Sequence, residues 1–197
     1  DAFQGHLHPE RSELSRLYRN LGGARFEEVG AALGLRGNGW FGDATFCDLD
    51  ADGFPELYLP NMQGDDRYYA NRAGRTFEER TPALFPLTAW GATGVKFFDQ
   101  DQDGRMDLLV TDMHSDMTGL QTEKALAFRS EVEKAKSEAY CSAQFPESYF
   151  QGSTNNLFGN AFYRAQPNGT FVEASDALGV ETYWPWGLSV GDLNADG

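Results

Sequence analysis

An aspartate-rich loop recurs three times in this chain, always at the same point of a longer unit, and that periodicity restricts the fold more than any other feature. The copies read Asp48-Leu-Asp50-Ala-Asp52-Gly53-Phe54-Pro-Glu56, Asp99-Gln-Asp101-Gln-Asp103-Gly104-Arg105-Met-Asp107, and Asp192-Leu-Asn194-Ala-Asp196-Gly197, where the sequence stops. A second motif keeps step with the first. Tyr18-Arg-Asn-Leu-Gly-Gly-Ala-Arg-Phe26 aligns without gaps to Tyr69-Ala-Asn-Arg-Ala-Gly-Arg-Thr-Phe77 and to Tyr163-Arg-Ala-Gln-Pro-Asn-Gly-Thr-Phe171. Each Tyr precedes the first Asp of the next loop by 30, 30 and 29 residues. Tyr18 and Tyr69 are 51 residues apart, whereas Tyr69 and Tyr163 are 94 apart, which places an insertion of 43 residues in the later unit. Self-similarity at a period of about 50 belongs to propellers or arrays, in which a unit buries its faces only against its neighbours.

Within a unit the pattern is all β. Residues 41–47 predict a strand running into the first acidic loop, and Leu57–Leu59 predict the strand that leaves it. Asp66–Asn71 and Arg75–Glu79 predict a hairpin around an Ala-Gly turn, which Asn168-Gly169 replaces in the last unit. Four short antiparallel strands make one propeller blade. The expected architecture is therefore an all-β propeller of four-stranded antiparallel blades, about three blades' worth, with a helical insertion. In that register residues 16–27 are the outer hairpin of a first blade and 40–80 a complete one. Residues 90–174 form a blade interrupted by an insertion at 113–157, and 186–197 begin the next. The chain lacks an initiator Met and starts and stops out of phase with its repeats, so it is expected to be a piece of a longer propeller. In the insertion, Ala125, Phe128, Val132, Ala135 and Ala139 fall at helical spacing, predicting an amphipathic helix packed across the blade, with a lid or partner-binding arm as the alternative.

The acidic loops carry the chemistry. Oxygen side chains at positions 1, 3, 5 and 9, with Gly at 6 for the sharp turn, suit a hard cation such as Ca²⁺, which takes six to eight oxygens at roughly 2.3–2.6 Å. Position 7, Phe54 or Arg105, is expected to add a backbone carbonyl. Four carboxylates held this close repel unless a cation sits among them. An EF-hand opens in the same way but needs a Glu at position 12 and flanking helices. Here position 12 is Leu59 or Val110, inside β-type sequence, which excludes it. The simpler alternative is a solvated acidic turn, since Asp and Gly are common turn formers. Its recurrence in phase favours metal.

Charge and composition narrow the partners. Against 30 acidic residues stand 16 Lys and Arg, giving a net charge of −14. Such a surface repels nucleic acid and anionic membranes. No apolar run reaches membrane-spanning length. Numerous weak Ca²⁺ loops work where calcium is millimolar, so the expected location is secreted, extracellular or periplasmic, including the cell surface. Cys47 and Cys141 leave both a disulfide and two free thiols open.

Leu17-Tyr-Arg-Asn20, Arg25-Phe-Glu-Glu-Val29, Ala32-Leu-Gly-Leu35 (echoed by Ala177-Leu-Gly-Val180), and the acidic loops with Trp40, Trp90 or Trp186 upstream resemble the FG-GAP/VCBS repeat proteins. Among these the chain looks most like the group carrying ASPIC/UnbV domains, which includes the cartilage acidic proteins. The resemblance implies a propeller related to the integrin α-subunit head, with Ca²⁺ in loops on one face. It carries the ligand pattern onto Asp48, Asp50, Asp52 and Glu56, onto Asp99, Asp101, Asp103 and Asp107, and onto Asp192, Asn194 and Asp196. Glu56 stands where that pattern has Asp.

Other candidates are sparser. His6 and His8 lack a third ligand for zinc, and Asp112, His114 and Asp116 alternate after a strand. Trp40, Trp90 and Trp186 recur beside strand starts and are expected to pack between blades; with Trp184 they could also stack on sugars. Asn168-Gly-Thr170 is a glycosylation sequon that hairpin chemistry explains equally well. No nucleophile elbow, phosphate loop or Cys/His cluster is present. The expected function is a non-catalytic extracellular scaffold that binds a protein or carbohydrate and uses calcium for stability. The other class is a propeller domain of a secreted enzyme, such as a polysaccharide-degrading one, with its catalytic residues elsewhere.

Overall fold

The computed structural model describes residues 12–113, 156–157, 159–182 and 185–194. Two four-stranded antiparallel sheets dominate it. The first is a plain meander of β3 (Thr45–Cys47), β4 (Glu56–Leu59), β5 (Arg67–Asn71) and β6 (Phe77–Glu79). The second contains β8 (Ala92–Phe98), β9 (Asp107–Asp112), β11 (Ala161–Ala165) and β12 (Phe171–Glu173) in that spatial order. β7 (Thr88–Ala89), between the two sheets in the chain, pairs in parallel with β10 (Asn156–Leu157), which precedes β11. A separate hairpin, β1 (Tyr18–Gly22) and β2 (Arg25–Glu28), precedes them. The sheets are blades of a partial all-β propeller.

Burial follows from this stacking. A blade covered on both faces needs apolar or satisfied side chains at every position of its central strands. All four residues of β4, Glu-Leu-Tyr-Leu, are buried. The period of two then sorts them. Leu57, Leu59 and Tyr69 pack with Leu35 on one side, whereas Tyr58, Tyr68 and Ala70 join Val95, Leu108, Val110, Ala161 and Tyr163 of the next blade on the other. Phe85, in the connector between the blades, anchors that second cluster. Its ring centroid lies 5.4 Å from Tyr58, 5.2 Å from Tyr163 and 4.8 Å from Phe171. The innermost strands meet where Asp43 Oδ2 accepts the Val95 N–H at 3.2 Å.

Several expectations need correction. The strand expected over 41–47 is shortened to Thr45–Cys47, because Asp43 is engaged with the neighbouring blade. The insertion gives its end to the fold: Asn156–Leu157 form β10, and Leu157 O accepts the Trp90 N–H at 2.8 Å. Two one-turn helices absent from the sequence reading, α1 (Thr81–Leu84) and α2 (Ser175–Leu178), follow the last strand of each blade. Pro82 suits the first turn of α1, where no N–H is needed. The tryptophans do not share one role: Trp90 is 0% exposed, Trp40 39% and Trp186 67%. They stand nine, eight and six residues before their loops, so Trp90 has opposite parity to the other two. Residues 114–155, including the expected helix, His114, Asp116 and Cys141, lie outside the described residues, as do His6, His8 and Trp184.

Candidate metal centres

Each complete loop links the first two strands of a blade: β3 to β4, and β8 to β9. Its backbone is shaped by two left-handed residues at equivalent places. Ala51 and Gly53 have φ of 58° and 87°, and Gln102 and Gly104 have 59° and 85°. Gly fills position 6 without steric cost, while position 4 takes that conformation with a side chain. The carboxylates at positions 1 and 5 hold the turn. Asp48 accepts the N–H groups of Asp52 (3.1 Å) and Gly53 (2.9 Å), and Asp52 accepts that of Phe54 (2.8 Å). Asp99 accepts from Asp103 (3.0 Å) and Gly104 (2.8 Å), and Asp103 from Arg105 (2.9 Å).

This geometry brings positions 1, 3 and 5 together. One carboxylate oxygen from each of Asp48, Asp50 and Asp52 lies within 4.8 Å of the others, and the same holds for Asp99, Asp101 and Asp103. A converging set of carboxylate oxygens fits a hard cation, and offers none of the imidazole or thiolate ligands that soft metals take.

Position 9 is arranged differently. Glu56 and Asp107 are each 2% exposed, and both accept peptide N–H groups with both oxygens. Glu56 receives Leu49 (2.9 Å) and Asn71 (3.3 Å), and Asp107 receives Gln100 (3.2 Å) and Ala165 (2.8 Å). Each therefore ties loop position 2 to the third strand of its own blade. Burial raises both carboxyl pKa values, and the N–H donors oppose that rise. Beside the first loop, burial and then the Glu56 and Asp48 charges push the Cys47 thiol up to about 11.

The two loops differ in their cationic neighbours. Arg105 is ion-paired with Asp103, and Arg164 Nε lies 3.7 Å from Asp101 Oδ2. Among the described residues the first loop has no such ion pair. Arg164 was not foreseen, since it reaches the loop from β11. In the third loop Asp192 and Asn194 are exposed, and Asp196 lies outside the described residues. Asp112, two residues before His114, is fully buried and accepts the Gly91 N–H at 3.1 Å, a structural position at the end of β9.

Residues 48–110 match the family model of an FG-GAP-like repeat. The matched segment begins at the first Asp of loop one and ends within β9, so it contains both acidic loops and β4 to β8, but not β3. No curated protein matches the chain. No described helix is long and apolar enough to cross a membrane.

Proposed function

We propose that the chain is part of an extracellular FG-GAP-repeat propeller that binds Ca²⁺ for stability and serves as an interaction scaffold for a protein or carbohydrate. The observation that carries this reading is the convergence of three carboxylates at the same point of two successive blades, inside the segment that matches the repeat. Asp48, Asp50 and Asp52 would hold one ion, and Asp99, Asp101 and Asp103 the other. Peptide carbonyls of Phe54 and Arg105 would complete the shells, with Glu56 and Asp107 bracing each loop from behind and joining the ligands as expected from the repeat pattern. Asp192, Asn194 and Asp196 would begin a third site. The bound ion supplies charge neutralisation; the chain's own residues supply the turn, the oxygen donors and the anchorage to the blade.

Within the FG-GAP class we place the chain nearest the proteins carrying ASPIC/UnbV domains, on Leu17–Asn20 and Arg25–Val29. In this reading the chain carries no catalytic group of its own. Calorimetry on the full chain tests the metal claim. Ca²⁺ should give saturable heat and Mg²⁺ little, because Mg²⁺ keeps its waters and an octahedral shell. Equal affinity for the two ions would remove the calcium reading.

A further inference from the structure

The triplet Asn168-Gly169-Thr170 is left unused by the metal loops. Asn168 is the one asparagine in the sequence followed two residues later by Ser or Thr. It stands in the turn between β11 and β12, where the Gln166 N–H donates to Thr170 O at 2.8 Å and the Gly169 N–H to Gln166 O at 2.9 Å. Turn chemistry accounts for its neighbours. Pro167 occupies the second position of the turn, which proline favours, and Gly169 takes a left-handed φ of 77°. Asn168 is not among the left-handed residues, and the third position of such a turn accepts most side chains. The matching turn of the preceding blade closes through Ala73 and Gly74, with φ of 53° and 69°, and has Thr76 where the last unit has Thr170. The threonine is therefore common to both turns, and the asparagine is the residue that the backbone does not require.

Its side chain presents a nucleophile. The Thr170 N–H and hydroxyl reach one atom of the Asn168 amide, at 3.1 and 2.7 Å. A peptide N–H only donates, so that atom is Oδ1. Nδ2 lies outside both bonds and engages no described residue. Pro167, Asn168, Gly169 and Thr170 are all exposed, and a side chain placed on Gly169 would meet nothing within 4 Å. A glycan is bulky and belongs on the surface, clear of packed faces, which this turn provides. The turn also lies at the acidic-loop end of its blade, since the Ala165 N–H reaches Asp107 Oδ1 at 2.8 Å.

We propose that Asn168 is the acceptor for an N-linked glycan, attached at the same end of the blade as the second acidic loop. The donor is an oligosaccharide carried on a polyprenyl diphosphate, met with its transferase on the export route. Nδ2 attacks the anomeric carbon: the C–N bond forms, the C–O bond to the diphosphate breaks, and the diphosphate leaves with the electron pair. One amide proton goes to a base of the transferase. The inference rests on the extracellular reading, because only an exported chain meets that donor.

Expression of the full chain behind a foreign secretion leader, in a eukaryotic host with that transferase, provides the test. The leader supplies export, so the result does not depend on where the chain resides in its own cell. Chain from the medium is mapped by peptide mass spectrometry before and after peptide N-glycosidase, which releases the glycan and converts the acceptor to aspartate. The wild type should carry a glycan at Asn168. Asn168→Gln and Thr170→Val should lose it, and Thr170→Ser should keep it. Both side chains are exposed and the bond closing the turn uses the Thr170 carbonyl, so the variants keep the fold. A secreted wild type bare at Asn168, or a glycan that persists in Asn168→Gln or Thr170→Val, would overturn the inference and leave the extracellular reading standing. A chain glycosylated behind the leader but found inside its source cell would bear out the acceptor and remove that reading instead.

Discussion

Asp66 and Asn160 hold the same station in successive blades. Oδ1 of Asp66 accepts the peptide N–H of Asn61 at 2.7 Å, and Oδ1 of Asn160 accepts that of Asp112 at 2.8 Å. The partners are matched in turn. Asn61 accepts the Trp40 N–H at 2.9 Å, and Asp112 accepts the Gly91 N–H at 3.1 Å. One blade therefore uses an amide followed by an acid, and the next an acid followed by an amide. The job is to close the backbone hydrogen bonding at the end of the second strand, which either chemistry performs.

Only the acid titrates, and that gives the first prediction. Asp66 is fully buried, and burial raises its pKa well above the ordinary 3.8; the Asn61 N–H and the Tyr58 hydroxyl oppose the rise, and Asp112 and Asp65 add to it. The folded chain thus holds this proton to higher pH than the unfolded chain does. Stability from this group is complete below the ordinary value and falls as pH rises from there through the folded pKa. Asp66→Asn should flatten that decline, since Asn160 shows that an amide fits. Urea midpoints at several pH values above 4 check it; parallel wild-type and variant profiles would contradict it.

A second repeated device is the hydroxyl that opens each one-turn helix. Thr81 Oγ1 accepts the Tyr68 N–H at 2.7 Å, and Ser175 Oγ accepts the Phe162 N–H at 2.8 Å. Both donors are buried. Thr81→Val and Ser175→Ala should each cost about 1–3 kcal/mol, the penalty for an unsatisfied buried group. Equilibrium denaturation that finds either variant as stable as the wild type would refute this.

Glu56 separates bracing from ligation. An amide in its place would turn an NH₂ toward one of the two peptide donors it now accepts. Glu56→Gln should therefore destabilise the chain by about 1–3 kcal/mol even in chelator. A variant that matches the wild type in chelator and falls behind only with calcium would make Glu56 a ligand alone.

These devices show how far the sequence could be read. The repeat of Tyr18, Tyr69 and Tyr163 led to the four-stranded sheets, and Leu57–Leu59 fell within β4, because short strands in a stacked array carry their pattern locally. The convergence of Asp48, Asp50 and Asp52 was legible for the same reason. What escaped notice depends on neighbours far along the chain. Arg164 meets Gln100 across 64 residues, at 3.1 Å. Glu56 and Asp107 sit at loop positions read as ligands, but their burial and the N–H groups of Asn71 and Ala165 are set by the third strand. Glu28, Glu79 and Glu173 share one signal that a closer alignment of the units contains: each accepts the peptide N–H two residues on, at 2.7, 3.1 and 3.0 Å.

The unequal surroundings of the two loops predict unequal affinities. A guanidinium beside Asp101 competes with a bound cation, though solvent weakens the effect because both side chains are partly exposed. Arg164→Gln should tighten calcium binding at the second loop by about two- to fivefold. Calorimetry in an Asp48→Ala background, where the second loop is isolated, reads this directly. No change, or weaker binding, would show that Arg164 does not oppose the ion.

Structural calcium is the central claim, and the melting temperature of the full chain tests it most directly. A cation bound only by the folded state stabilises by mass action, in proportion to the logarithm of its concentration above Kd. Added Ca²⁺ should raise the melting temperature of the wild type, and chelator should reverse the rise. Asp48→Ala and Asp99→Ala should each lose part of that response, and the double variant should lose the share these two sites supply. A wild-type melting temperature that is the same in calcium and in chelator would contradict the account.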